Sequence, residues 1–218
     1  MKLPLWLAAL LGLVMTQAAL AQEQERKPNS LLLIAKPSLV DPNFQRTVVL
    51  VTQADDASTV GVILNRPTTL QLRRMLSREY PAENYRGAVY EGGPVMPHVL
   101  VALFRAESTP KGHAFPVLKG IYLTLHPENI EKLIADPKAG YRLYAGFSGW
   151  APRQLQSEFM REDWYVQPAD EAIVFRERME GLWDELVEKA QRRGPRTRGL
   201  ETRPGEIDPM ARLGDALQ

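Results

Sequence analysis

The sequence predicts an α+β domain, in which a β-sheet forms the core and helices pack against it. Three observations predict this class. Three short apolar or β-branched segments follow one another, separated only by turns, before any helical periodicity appears. Apolar residues at helical spacing come later and are clearest near the C-terminal end. Between the two polar ends of the 218-residue chain lies a body of roughly 160 to 170 residues, the size of one domain with a hydrophobic core.

Residues 1–21 have the pattern of a cleaved signal peptide. Lys2 is followed by an apolar run over 3–14, and the small-x-small sequence Ala19-Leu20-Ala21 precedes Gln22. The apolar run is too short to serve comfortably as a permanent membrane span. We therefore expect export to the periplasm or the medium.

Cleavage after Ala21 leaves a polar linker over 22–29 and no transmembrane segment. A translation start at Met15 is the alternative, because it deletes most of the apolar run and yields a cytoplasmic protein. The domain itself is predicted over 30–191.

Composition excludes several chemistries. The chain has no cysteine, which rules out disulfides, thiolate metal sites and a cysteine nucleophile. It carries 27 basic and 26 acidic side chains, and Lys2 leaves with the signal peptide, so the mature body is neutral. A neutral body gives no support to nucleic-acid binding.

The N-terminal half of the domain is predicted to be mostly strand. Strands are predicted over 30–35, 47–52 and 60–64, with turns at Asp41-Pro42-Asn43 and at 55–58. A short helix is predicted over 70–76. Further strands are predicted over 88–91, 99–104 and 121–125, with breakers at Gly92-Gly93-Pro94 and Lys111-Gly112.

The C-terminal half alternates helix and strand. A helix begins around His126-Pro127, a strand covers 141–145 and ends in the corner Gly146-Phe147-Ser148-Gly149-Trp150, and another helix begins at Pro152. An amphipathic last helix is indicated by apolar residues three and four apart from Phe175 to Val187. Residues 192–218 interleave arginine with glycine and proline, which predicts a disordered basic tail.

Three strand ends lead into glycine- or proline-containing corners, and such corners commonly carry ligand sites. The simpler interpretation is that these residues only make tight turns. The binding hypothesis places a ligand or partner site at a shared rim with these candidate residues: Asn65, Arg66, Gly92, Gly93, Ser148, Trp150 and Glu158. On this hypothesis the protein is a non-enzymatic binding module for a small ligand or a protein partner.

An enzyme with its site at the same corners is the alternative. It uses Arg66 as an anion clamp and Glu91 or Glu158 as acid or base. A hydrolase elbow at Ser148 is disfavoured, because G-x-S-x-G requires glycine where this chain has Trp150.

Metals and cofactors have no sequence support. His98, His113 and His126 lack a ligand spacing, and Gly92-Gly93-Pro94 lacks the lysine and hydroxyl of a phosphate-binding loop. We predict neither a metal nor a cofactor.

These motifs, in this order, resemble the YqgE/AlgH family of largely uncharacterised bacterial proteins. The resemblance spans about residues 31–186 and is carried by Leu32–Pro37, Asp41–Val49, Gly61–Pro67, Gly92–Val95, Gly146–Trp150, Gln154-Leu155 and Trp164. It implies a compact α+β fold with coiled, mainly antiparallel sheets, and it implies no known reaction. The AlgH name carries a suggestion of transcriptional regulation, which is a second alternative. The signal peptide and the long basic tail depart from the usual family member and argue against a cytoplasmic role.

Overall fold

The computed structural model describes residues 30–54, 56–76, 82–110, 114–136 and 138–192. They form nine strands: β1 (Leu31–Ala35), β2 (Val48–Gln53), β3 (Thr59–Ile63), β4 (Tyr90–Glu91), β5 (Val95–Arg105), β6 (Ala114–Leu118), β7 (Ile121–Thr124), β8 (Tyr141–Trp150) and β9 (Trp164–Pro168). The helices are α1 (Pro127–Ala135), α2 (Gln154–Met160), α3 (Glu171–Val174) and α4 (Leu182–Arg192), with 3₁₀ turns at Leu72–Arg74 and Ala82–Asn84.

The nine strands form one sheet, in which eight follow the order β6-β7-β5-β8-β3-β2-β1-β9 and β4 pairs with β8 off this path. Every pair along this path is antiparallel, and only the short β4 lies parallel to β8. The predicted α+β class with a mainly antiparallel sheet is therefore confirmed. The first three strands are consecutive neighbours, because each is joined to the next by a connection that reverses the chain.

Strand β8 belongs to both halves of the sheet. Residues 141–145 and Phe147 pair with β5, whereas residues 148–150 pair with β3. Gly146 lies between the two parts with φ +70°, and a Cβ there would come within 2.7 Å of the Gly93 carbonyl oxygen. The expectation that the strand ends at Ala145 is wrong, because Gly146 bends the strand without ending it.

The core consists of three clusters of buried apolar residues. One face of the sheet packs on α4, which buries Leu182 and Trp183 among residues of β1, β2, β3, β5 and β8. The outer face of β1–β3 packs on α2 and the 36–47 connection. The outer face of β5 and β8 packs on α1 and the two 3₁₀ turns. Helices thus cover both faces of the sheet.

A tyrosine hydroxyl completes the sheet beyond the end of β4. The Tyr85 hydroxyl donates to the Ala88 carbonyl over 2.8 Å and accepts from the Leu143 backbone N–H over 3.2 Å. It therefore binds the backbone N–H of Leu143, which precedes the two β8 residues that pair with β4. Burial raises the pKa of Tyr85 to about 12.

Several sequence-based element predictions need correction. The helix predicted over 70–76 is a single 3₁₀ turn. The last helix begins at Leu182, not near Phe175, because Gly181 adopts φ +71° immediately before it. That helix extends to Arg192, where the tail was predicted to start.

Residues 1–29 and 193–218 lie outside the described residues. The signal peptide over 1–21, the linker over 22–29 and the remainder of the basic tail therefore stay predictions. Within the described part of the chain, no helix is long and apolar enough to cross a membrane.

Candidate functional site

Residues 36–47 form a compact loop between β1 and β2, which we call the Ω-loop. Its two ends meet because β1 and β2 are neighbours, and the Ala35 N–H donates to the Thr47 carbonyl over 3.0 Å. Compact loops of this kind, closed at their base, are frequently functional. The candidate residues named from the sequence lie around this loop.

Arg66 holds the backbone of the Ω-loop. Its Nη1 donates to the Asn43 carbonyl over 2.7 Å, and its Nη2 donates to the carbonyls of Gln45 and Pro42 over 3.0 and 3.3 Å. Nη1 also lies 3.1 Å from Glu91 Oε1. The guanidinium is thus committed to the protein's own oxygens, and its side chain is only 24% exposed. This arrangement disfavours an anion clamp.

Asn65 fixes the C-terminal end of the Ω-loop. Its Oδ1 accepts from the Val48 N–H over 2.8 Å, and its Nδ2 donates to the Arg46 carbonyl over 2.9 Å. The side-chain amide therefore accepts and donates one hydrogen bond beside the start of β2, as a backbone peptide group would. Both ends of this amide are satisfied internally.

Gly92, Gly93 and Ser148 form a close backbone crossing that directly follows Glu91, the ion-pair partner of Arg66. The Ser148 hydroxyl donates to the Gly92 carbonyl over 3.0 Å and is fully buried. A Cβ on Gly93 would lie 2.3 Å from the Ser148 oxygen, so only glycine fits. A substrate cannot reach Ser148, which weakens the hydrolase alternative further.

Trp150 and Glu158 belong to an aromatic cluster under the other side of the Ω-loop. Glu158 Oε2 accepts from the indole N–H of Trp150 over 3.0 Å and from that of Trp164 over 2.9 Å. The Phe44 ring stacks on Trp150 at 5.5 Å and meets Trp164 edge-on at 5.6 Å. One carboxylate oxygen therefore satisfies two buried donors beneath Phe44.

The last helix holds the Ω-loop from a further direction. Arg46 adopts φ 57°, pairs with Asp184 over 2.9 Å and stacks over the Trp183 ring at 4.2 Å. The Trp183 indole donates to the Ala35 carbonyl over 2.8 Å. Contacts from the segment that follows β3 and from β8, β9 and α4 thus all fix this one loop.

The structure separates the predicted site residues into two groups joined by the Ω-loop. Asn65, Arg66, Gly92, Gly93 and Ser148 lie on the side of the loop held by Arg66. Trp150 and Glu158 lie on the side held through Phe44. Sequence reasoning missed Phe44, Arg46, Trp164 and Trp183, although the length of the segment between two predicted adjacent strands could have pointed to the loop.

What the Ω-loop offers to a partner is its outward surface. Val40 is 82% exposed, and Pro42, Asn43 and Gln45 are exposed as well. The flanking charges are neutralised locally, since Lys36 pairs with Glu162 and Arg46 with Asp184. The exposed surface is therefore mostly apolar and neutral-polar, with the half-exposed carboxylate of Asp41, which accepts from the Asn43 N–H, as its unpaired charge among the described residues.

Histidines do not assemble into a metal site in the described part of the chain. His126 precedes α1 as its N-terminal cap residue, and His98 is exposed on β5. No cluster of three or more His, Cys, Asp or Glu suited to a metal occurs among the described residues. His113 lies outside them.

Comparison with known proteins identifies relatives of the whole domain. A UPF0301 protein of Streptomyces coelicolor is 33% identical over 165 residues, covering 72% of this chain and 84% of that protein. A UPF0301 protein of Myxococcus xanthus is 34% identical over 156 residues, covering 70% of this chain and 85% of its own length.

Solved structures show the same fold. The crystal structure of DIP2367 from Corynebacterium diphtheriae aligns with a TM-score of 0.57 at 25% identity, covering 76% of this chain and 88% of that chain. The solution structure of the AlgH protein from Pseudomonas aeruginosa aligns with a TM-score of 0.59 at 23% identity, covering 84% and 99%. The family model described as AlgH-like matches residues 32–193. That match spans the domain from β1 through α4, and the chain therefore belongs to the AlgH-like family, whose biochemical function is uncharacterised.

Proposed function

We propose that this protein is an exported, non-enzymatic binding protein that presents the Ω-loop as a rigid recognition surface to a protein partner. The observation that carries the proposal is the set of bonds from Arg66 to three backbone carbonyls of the loop. These bonds fix the backbone of a surface segment whose outward side chains remain exposed.

Rigidity of this kind favours binding. Ordering one residue of a flexible loop costs about 1 to 2 kcal/mol of conformational entropy. A loop already held by Arg66, Asn65, Phe44 and Arg46 does not lose that entropy when a partner docks. The residues that hold the loop thus support its affinity for a partner without contacting that partner.

The same contacts weigh against the enzyme alternative. Both carboxylates proposed as acid or base already have internal partners, Glu91 with Arg66 and Glu158 with two indoles. Ser148 is buried beneath the glycine crossing. Protonation of either carboxylate would weaken these internal bonds, and this favours a structural role for both groups.

Site-specific photocrosslinking tests the binding surface. We expect a benzophenone amino acid at position 40 to give a discrete adduct of higher mass in the native organism. Leu70 provides the control position, because it is 45% exposed and lies outside the Ω-loop. Adding Arg66→Met should weaken the adduct at position 40, because the loop backbone loses its anchors. No adduct at position 40, or the same adduct at both positions, would contradict the proposal.

Export is tested separately. Mass spectrometry of the protein recovered from a periplasmic fraction should give a chain that begins at Gln22, the residue after the predicted cleavage site. A cytoplasmic chain that begins at Met15 would contradict export, and it would leave the Ω-loop proposal to stand on its own test.

A further inference from the structure

An open cleft of about 380 Å³ lies between α1 and the end of β5, and we call it the α1 cleft. Small-molecule sites in proteins occupy about 300 to 1,000 Å³, so this cleft has the size for a ligand at the small end of that range. Part of its lining is one face of α1, at positions i, i+3, i+4 and i+7 of the helical repeat. These four residues are Asn129, Lys132, Leu133 and Asp136, and the remaining lining residues are Phe104, Pro110 and Ala139.

The apolar part of the α1 cleft includes an aromatic ring that is held in place. Phe104 is 5% exposed, and its ring lies 6.0 Å from the Tyr122 ring. Leu133 is half-buried and packs against the cluster beneath α1. A flat apolar group in the cleft can therefore pack on a fixed surface, and aromatic pairs contribute more than their buried area alone.

Asn129 brings a buried hydrogen-bonding group to the α1 cleft. This residue is only 9% exposed, and its Nδ2 donates to the Thr124 hydroxyl over 3.3 Å. Its Oδ1 accepts no hydrogen bond from the described residues. Because buried polar groups in folded proteins are nearly always paired, a ligand that ends in a hydroxyl or N–H group would complete the bonding of this amide.

Two opposite charges line the α1 cleft without pairing to each other. Lys132 and Asp136 are four residues apart, a spacing at which helical side chains are neighbours, yet neither forms an ion pair among the described residues. Asp136 Oδ1 accepts from the Lys138 N–H over 2.9 Å, which leaves the other carboxylate oxygen available. A cation beside Asp136 also meets the negative end of the α1 dipole. The cleft therefore offers one site for a cation and one for an anion.

We propose that the α1 cleft binds a small α-amino acid whose aromatic side chain ends in a hydrogen-bond donor. An α-amino acid carries an ammonium and a carboxylate group on one carbon, and these pair with Asp136 and Lys132. The ring packs on Phe104 and Leu133, and the terminal donor binds Asn129 Oδ1. This site belongs to a different hydrophobic cluster from the one beneath the Ω-loop and goes beyond the function proposed for that loop.

Four probes test the proposal, and three of them each lack one recognised group. L-Tyrosine has all three groups, tyramine lacks the carboxylate, hydroxyphenylpropionate lacks the amine, and L-phenylalanine lacks the hydroxyl. NMR titration of the isotope-labelled full chain at neutral pH measures each affinity. We expect L-tyrosine to give saturable shifts of the backbone amides of Lys132, Leu133 and Asp136. Each of the other three probes should bind about fivefold more weakly.

Two variants at exposed positions assign the two charges. Asp136→Asn keeps an oxygen for the Lys138 N–H, and it should weaken L-tyrosine and tyramine about fivefold without weakening hydroxyphenylpropionate. Lys132→Met should weaken L-tyrosine and hydroxyphenylpropionate about fivefold without weakening tyramine. Glu128→Gln is the matched control, because Glu128 is exposed in the first turn of α1 and does not line the cleft. It should leave all four affinities within about twofold.

Any one of three results would overturn the proposal. The first is the absence of saturable shifts at the three α1 amides with L-tyrosine. The second is equal affinity for all four probes, which would mean that only the ring is recognised. The third is a loss of affinity for all four probes alike in either charge variant, since the change would then have altered the cleft and not removed one recognised charge.

Discussion

Replacement of Glu158 by leucine tests whether this carboxylate is structural. In the structure one Glu158 oxygen accepts from the indoles of Trp150 and Trp164, which are 2% and 5% exposed. A buried donor left without an acceptor costs about 1 to 3 kcal/mol. Glu158 itself is half-buried, so water reaches one side of the cluster, and we expect Glu158→Leu to lower the free energy of unfolding by about 2 to 4 kcal/mol.

Glu158→Gln is the matched control. Glutamine keeps an oxygen in the same place but replaces a charge-assisted bond by a neutral one, which is about half as strong. We expect a loss of about 1 kcal/mol. A general acid or base would instead be disabled by this change, because a side-chain amide acts neither as an acid nor as a base near neutral pH.

The double variant Trp150→Phe, Trp164→Phe removes both donors and completes a thermodynamic cycle. In that background Glu158→Leu should cost less than about 1 kcal/mol, so the coupling between the carboxylate and the indoles should be about 1 kcal/mol or more. Urea unfolding followed by far-ultraviolet circular dichroism measures each variant. An equal loss in both backgrounds would refute the reasoning.

Two further predictions concern the glycine crossing and the buried tyrosine. Gly93→Ala should lower the free energy of unfolding by more than about 3 kcal/mol, because the added Cβ would lie 2.3 Å from the Ser148 oxygen. Gly181→Ala is the control, because its Cβ would meet open space, and it should lower the free energy of unfolding by only about 1 to 2 kcal/mol in the same urea assay. Burial raises the pKa of Tyr85 to about 12, so the folded state holds the phenol proton more tightly. The contribution of Tyr85 to the free energy of unfolding should therefore be fully retained below about pH 10 and fall by about 2 to 3 kcal/mol towards pH 12. Urea titrations across this range should show a shallower fall for Tyr85→Phe; the same slope in both proteins would contradict this assignment.

Local sequence patterns predicted the strands whose neighbours are close in the chain. The apolar and β-branched segments of β1, β2 and β3 were placed within a residue or two, because each pairs with the next. Strand β9 was missed, because it begins directly after charged residues, ends in proline and pairs with a strand about 130 residues earlier. Such pairing depends on tertiary contacts that a local pattern does not contain.

The candidate site shows the same limit. The three predicted corners do lie together, since Arg66 contacts Glu91 and Ser148 contacts Gly92. The roles of these residues were not visible in the sequence, because they depend on contacts with the backbone carbonyls and side chains of the Ω-loop that form only in the folded chain. Phe44 and Arg46 connect that loop to tryptophans more than a hundred residues away in the chain.

The bend at Gly146 has a consequence for how the protein is made. Strand β8 joins the edges of β3 and β5, so in a chain that emerges from its N-terminus, at the ribosome or across a membrane, both of those edges stay open until about residue 150 has emerged. The two halves then close on one shared segment, which makes their formation mutually dependent. Folding of the nascent chain should therefore be late and all-or-none, and no autonomous N-terminal half should accumulate.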